Sequence, residues 1–231
     1  MAYKKKKNRS SKILIAILLV AIIALASTAV AYVVINQTAA NQAVRGLHVG
    51  DVFTYNITGK SILFTSDAVS PAYLTQFNET DYYQVSITSV NGPSIGFSTL
   101  WQFKNGTALN GTETINLETG VNTGDFWAIY LPNLQVNAPL NPKANNGLIV
   151  NSTSTQTFAD STRTINNWST DNVLVDSSDP TGSTQQDNFL GVSFDKETGM
   201  LISITNVQQF NNPGYNVLIL WQLTNSTVWN V

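Results

Sequence analysis

An uninterrupted apolar run, residues 13–35, constrains this chain of 231 residues more than any other feature. The run contains no charged residue and no proline. Its 23 residues would rise about 34 Å as an α-helix, and the hydrocarbon core of a bilayer is about 30 Å thick. Lipid offers exposed backbone groups no hydrogen-bond partner, so a single segment crosses it as a helix. The run therefore predicts a transmembrane helix.

The charges that flank the run predict its orientation. Six positive charges lie in a basic head, residues 1–12, whereas residues 36–44 carry none. This asymmetry favours a cytoplasmic N-terminus and an extracytoplasmic remainder, and the head suits contact with anionic membrane lipid. Three processing outcomes stay open: a retained signal anchor, cleavage as a signal peptide after a site such as Ala29-Val30-Ala31, and a pilin-type signal. Because the apolar run continues to Ile35, the retained anchor is favoured.

The composition beyond the basic head limits the classes of partner. That part retains six Lys and Arg residues and all 14 Asp and Glu residues, which gives a net charge of −8. Such a surface repels phosphate backbones, so we expect no nucleic-acid binding. The chain has no cysteine, which excludes disulfides, lipid attached to cysteine, thiol nucleophiles and thiolate metal sites.

After the helix, we expect a small, polar stalk at residues 36–45 and an extracytoplasmic β domain at residues 46–231. Period-two alternation with β-branched and aromatic enrichment predicts half-buried strands. The clearest are Val52–Thr58, Asp81–Val90, Ser94–Phe103, Glu113–Glu118, Asn188–Asp195 and Met200–Thr205. A further strand is predicted at Asn216–Leu223, which is apolar on both faces, as a central or doubly covered strand would be. Weaker strand patterns occur at Gly147–Val150, Thr155–Ala159, Ser161–Asn166 and Asn172–Asp176.

Short turns between these strands predict antiparallel pairing, because a parallel return needs a long crossover. Asn91-Gly92-Pro93, Lys104-Asn105-Gly106 and Glu118-Thr119-Gly120 have hairpin chemistry, and the first two join residues 81–120 into a three-stranded meander. A further turn, Asp195–Gly199, places glycine where positive φ is needed.

Two segments in the middle of the chain lack the alternation of strands. Asp125–Leu134 predicts one or two helical turns, and Leu131–Asn146, with three prolines, predicts a loop that crosses the domain. In total we expect ten to twelve strands and almost no helix beyond the membrane segment. The predicted fold class is all-β, an antiparallel curved sheet or open half-barrel, with a two-sheet sandwich as the alternative.

Three segments resemble uncharacterised archaeal cell-surface proteins that join an N-terminal membrane helix to a Thr/Asn-rich β domain: Val49–Tyr55, Trp101–Thr107 and Phe194–Leu201. The last segment is also similar to the D-x-x-T-G-hydrophobic hairpin of curved-sheet lipoprotein carriers (LolA-like). The first resemblance implies a cell-surface location. The second implies lipid carriage by analogy of fold alone. Neither implies an active site.

Residues suited to catalysis or metal binding are sparse. The single histidine, His48, has only Asp51 nearby and is predicted to be a surface or capping residue before the first strand. An acidic stretch has oxygen ligands of the kind that Ca²⁺ prefers, but its spacing matches no calcium loop: Asp171, Asp176, Asp179 and Asp187. No phosphate loop, dinucleotide fingerprint or nucleophile elbow occurs. We therefore expect no enzyme activity, no cofactor and no metal.

Two kinds of residue are candidates for surface contacts. Trp127 and Trp168 fall in segments predicted to be irregular, and exposed aromatic rings stack on sugars or fill pockets of a partner. In a host that makes N-glycans, sequons are candidate glycosylation sites. Besides Asn36 in the stalk, they are Asn56, Asn78, Asn105, Asn110, Asn151, Asn167 and Asn225.

Together these features favour an anchored surface protein that acts in binding or structural interaction. Its partner would be a surface protein, a glycan or a hydrophobic ligand. The alternative is a carrier, in which Asp125–Asn146 folds over a concave sheet and encloses a pocket for lipid. An enzyme of unfamiliar type ranks third and would require a cleft with two or more convergent acids.

Overall fold

The computed structural model describes residues 46–159, 161–175 and 185–231. The predicted basic head, membrane helix and stalk lie outside the described residues, as do Asp176 and Asp179. Within the described ranges, no helix is both long enough and apolar enough to cross a bilayer. The elements are β1 (Val52–Leu63), α1 (Tyr73–Asn78), β2 (Thr80–Asn91), β3 (Ser94–Phe103), β4 (Ala108–Asn116), β5 (Ser152–Thr157), β6 (Thr162–Val175), β7 (Gln185–Asp195), β8 (Leu201–Asn211) and β9 (Gly214–Ser226).

The nine described strands form one antiparallel sheet in the order β4-β3-β2-β1-β9-β8-β7-β6-β5. The predicted all-β antiparallel class is confirmed. The strands lie in one sheet rather than in the two sheets of a sandwich, and the sheet stays open because its end strands, β4 and β5, do not pair with each other. The chain makes two meanders, and the pairing of β1 with β9 joins them at the centre of the sheet.

Local alternation predicted most strands well. The meander β2-β3-β4 is confirmed, and Gly92, Gly106 and Gly199 have the positive φ that their turns require. The two predicted weak strands Ser161–Asn166 and Asn172–Asp176 overlap one long strand, β6, which spans Thr162–Val175, and the described ranges contain nine strands rather than ten to twelve.

The helical turns predicted for Asp125–Leu134 are wrong. The segment is irregular, and consecutive side chains from Ala128 to Leu131 are buried in the core. Its backbone bonds to the β7–β8 hairpin rather than in a helical pattern: the N–H of Tyr130 donates to the carbonyl of Gly199 at 2.9 Å, and the N–H of Asn133 donates to that of Lys196 at 2.6 Å. The predicted strand Gly147–Val150 is also wrong, because it makes only one isolated bridge, between Ile149 and Pro139.

The helix α1 was not predicted, because six residues are too few to show a helical period. It packs on β1 at Gly59, where an added Cβ would lie 2.7 Å from the side chain of Leu74. The side chain of Asn78 accepts a hydrogen bond from the Gly59 N–H at 3.0 Å. Tertiary contact therefore holds this helix in place.

The core lies on one face of the sheet, beneath the segment of residues 117–150. Alternate residues of the strands point into it, among them Phe53, Tyr55 and Ile57 of β1, and the segment adds Phe126 and Leu140. The predicted loop over Leu131–Asn146 is confirmed as irregular and covers this face. The segment leaves part of β2, β3 and β4 uncovered beside α1.

Candidate functional site

A cleft of about 520 Å³ lies on this uncovered part of the core face, between α1 and the beginning of the covering segment. Its volume is within the range of small-molecule sites, about 300–1,000 Å³. Four aromatic residues and two carboxylates define the site, which we call the aromatic cleft: Phe77, Tyr83, Trp101, Trp221, Glu113 and Asp125.

The strand register brings these residues together. Tyr83 of β2 lies directly opposite Trp101 of β3, and odd-numbered residues of β3 and β4 share the core face. Gly111 lies opposite Thr99 in the neighbouring strand. Its lack of a side chain leaves room for the Thr99 hydroxyl, which an added Cβ would overlap. Because α1 and β9 contribute Phe77 and Trp221, the walls of the cleft come from distant parts of the chain.

The rings contact one another, so the walls are formed without a ligand. The ring of Tyr83 lies 5.0 Å from Trp221 and 5.9 Å from Trp101, both edge-on, and Phe77 stacks on Trp101 at 6.0 Å between centroids. The indole N–H of Trp101 donates to the hydroxyl of Thr80 at 2.7 Å. These contacts fix the orientation of the rings.

Glu113 is a buried acid, with 7% of its surface exposed. One carboxylate oxygen accepts a hydrogen bond from the Thr99 hydroxyl and the other from the Phe126 N–H, each at 3.1 Å. An added Cβ at Gly124 would overlap this carboxylate, so the glycine lets the covering segment pass close to it. The second acid, Asp125, is exposed at the rim.

Burial raises the pKa of Tyr83 to about 12. The hydrogen bond with Thr99 opposes this change, whereas the negative charges of Glu113 and Asp125 add to it. Ionised tyrosine is therefore disfavoured in the cleft, both by desolvation and by the electrostatic field of two carboxylates.

The two tryptophans selected from the sequence lie apart from the aromatic cleft. Trp168 belongs to β6 rather than to an irregular segment and is 5% exposed, whereas Trp127 is 36% exposed. Their rings contact each other edge-on at 6.1 Å, and Trp168 also packs against Tyr130. Burial raises the pKa of the Tyr130 hydroxyl.

The other residues singled out in the sequence are dispersed. His48 is exposed before β1, and its backbone N–H donates to the Asp51 carboxylate at 2.7 Å. Asp171 and Asp187 line a separate cleft with Val173 and Phe189. Register places this cleft on the face opposite the core. In the described part of the chain, no group of three metal-ligating side chains comes together.

The sequon asparagines lie at the surface. All seven within the described ranges are exposed except Asn167, which is half-buried. Register places four on the face opposite the core: Asn56, Asn110, Asn167 and Asn225. The remaining three accept backbone hydrogen bonds locally or across strands: Asn78, Asn105 and Asn151.

Reasoning from the sequence missed the aromatic cleft. Alternation assigned Tyr83 and Trp101 to strand faces, which is right, but a gap in the cover above them depends on tertiary packing. One local signal existed: period two places Glu113 on the same face as Ile115 and Leu117, so a carboxylate points toward the core.

Comparison with known proteins adds no family to this description. No protein-family model matches the chain, and no curated protein matches its sequence.

Proposed function

We propose that this chain is a membrane-anchored protein of the cell envelope whose extracytoplasmic β domain binds a ligand or partner and does not catalyse a reaction. The anchor is the apolar run of residues 13–35, and the basic head holds it at anionic lipid. The resemblance to archaeal cell-surface proteins and the sequons at exposed positions support the same location, with glycans on the domain surface.

The observation that carries the proposal is the aromatic cleft. It combines preformed aromatic walls with a few convergent polar groups, which is the general composition of a ligand site. Rings held by other rings lose little conformational freedom when a ligand binds. We infer that this cleft is the contact surface for the ligand.

The cleft also brings together two acids, the feature that would favour an enzyme. Both oxygens of Glu113 already accept hydrogen bonds from protein donors, so neither points unengaged into the cleft as a proton-transferring group would. The arrangement therefore supports binding more than proton transfer.

Carriage of a lipid is the second candidate function, with a sheet that curves around its ligand. The apolar side chains of Asp125–Asn146, such as Phe126, Ile129 and Leu140, pack into the core. A hydrophobic ligand would therefore bind in the aromatic cleft rather than beneath the segment. Native mass spectrometry of the purified chain would reveal co-purified lipid.

Site-specific photo-crosslinking in cells tests the main proposal. Leu109 lies at the rim of the cleft and is 56% exposed, and Val173, on the opposite face of the sheet, is 60% exposed. With benzoylphenylalanine at position 109, intact-mass spectrometry should show a cross-linked adduct that is absent with the same residue at position 173. Equal adducts at both positions, or none at 109, would refute the cleft as the contact surface.

A further inference from the structure

We infer that the aromatic cleft binds an organic cation, namely a quaternary or protonated alkylammonium group. This inference rests on the proposed function, since it names the chemical class of ligand for the same site.

Glu113 has no counter-charge among the described residues. Buried glutamates are almost always paired with a cation. The structure contains a direct comparison: Asp195 is also fully buried, and both of its oxygens accept hydrogen bonds from the guanidinium of Arg163 at 2.8 Å. Among the described residues, Glu113 has two neutral donors and no cationic partner. A bound cation would supply the counter-charge that the described part of the chain does not provide.

The lining of the aromatic cleft is negatively charged. Both charged side chains that line the cleft, Glu113 and Asp125, are negative. Lys104 does not line the cleft, and its Nζ donates to the carbonyl of Asn78, the last residue of α1, at 2.6 Å. Residues 46–231 carry 14 acidic and five basic side chains, so the wider field has the same sign. The cleft therefore attracts cations and repels anions.

Four aromatic rings form the walls of the aromatic cleft. The faces of aromatic rings attract cations within about 6 Å of the ring centroid, most strongly for Trp and more strongly when water is excluded. Trp101, Trp221, Tyr83 and Phe77 all line one volume, so a cation bound there would lie close to several rings. Burial is the main cause of the elevated pKa of Tyr83, and the negative charges of Glu113 and Asp125 add to it.

These features distinguish an organic cation from other ligands. A metal ion needs several oxygen or nitrogen ligands, and the described residues form no group of three such side chains. A neutral sugar would stack on the rings but leave Glu113 without a counter-charge. An alkylammonium group satisfies both the rings and the carboxylate.

The test compares choline with its neutral isostere, 3,3-dimethylbutan-1-ol, which has the same shape and no charge. Both are titrated into the full-length chain in a polyoxyethylene detergent, which carries neither a sugar nor an ammonium group. Binding is followed by tryptophan fluorescence and calorimetry. We expect choline to bind about tenfold more tightly than the isostere or better. Equal affinities, or no choline binding, would overturn the inference.

Two charge-removing variants sharpen the test. Glu113→Gln keeps the shape and should weaken choline binding about tenfold without changing the binding of the isostere. Glu118→Gln removes the same charge from a residue outside the cleft and should bind choline as the wild type does. If Glu113→Gln unfolds, as judged by circular dichroism, then Asp125→Asn at the exposed rim should weaken choline binding severalfold. Unchanged affinity in the folded variant would overturn the inference.

The two proposals fail separately. If choline does not bind but a neutral sugar or lipid gives adducts at position 109, the cleft is the contact surface and only the cation class is wrong. If no adduct forms at position 109 in cells while choline binds the purified chain, the cation chemistry stands and the cellular function is wrong.

Discussion

The substitution Gly199→Ala tests how the β7–β8 hairpin docks against the covering segment. Gly199 has φ +75°, and its carbonyl accepts the hydrogen bond from the Tyr130 N–H at 2.9 Å. A Cβ at this position would overlap the carbonyl oxygen of Tyr130. That oxygen belongs to the backbone of a buried segment, so a change of rotamer cannot relieve the overlap.

Gly147→Ala is a matched control, because Gly147 has φ +72° and an added Cβ there meets nothing within 4 Å. Both variants incur the cost of positive φ, about 1–2 kcal/mol, less about 0.4–1 kcal/mol from the restricted unfolded chain. Only Gly199→Ala adds overpacking, about 1–3 kcal/mol, and loss of a buried hydrogen bond, about 1–3 kcal/mol.

We therefore expect Gly147→Ala to lower the free energy of unfolding by about 1 kcal/mol and Gly199→Ala by about 3–7 kcal/mol. The assay is urea unfolding of the purified chain, followed by tryptophan fluorescence. Both variants are analysed with the same slope of the free energy of unfolding against urea concentration. Losses that agree within about 0.5 kcal/mol would show that the overlap is relieved, and the proposed docking of the hairpin would be wrong.

Three further results are expected. Asp195→Asn should lower the free energy of unfolding by about 3 kcal/mol in the same urea assay, because the guanidinium of Arg163 loses its buried counter-charge. The pKa of Tyr83 is about 12 in the folded chain, against an ordinary value of 10.0. As pH rises, the unfolded chain therefore loses the proton of the Tyr83 hydroxyl at a lower pH than the folded chain does. Stability should consequently fall as pH rises from 10 to 12, and Tyr83→Phe should reduce that fall in urea titrations. In a glycosylating host, glycopeptide mass spectrometry should find higher occupancy at exposed Asn105 than at Asn167, whose side-chain oxygen accepts a bond from Ser193 within the sheet.

The strands were predictable because the direction of a side chain alternates along any strand, whatever lies opposite. Residues 94–103 were predicted with their observed bounds for this reason. The interpretation of Asp125–Leu134 failed because its apolar side chains are buried by contacts with residues far along the chain, such as Met200. Such contacts leave no local period. The helix α1 was missed for a related reason, since Gly59, not its own sequence, holds it in place.

The amino-acid sequence alone determined the apolar run, the charge balance, the turns and the face on which each strand residue lies, because these depend on neighbours in the chain. Tertiary structure alone decided which faces the covering segment leaves open. Phe77, Tyr83, Trp101 and Trp221 are separated by up to 144 positions, and a cleft among them exists only after β1 pairs with β9. The same pairing and packing buried Glu113 with no cationic partner among the described residues, an arrangement in space that no local pattern encodes.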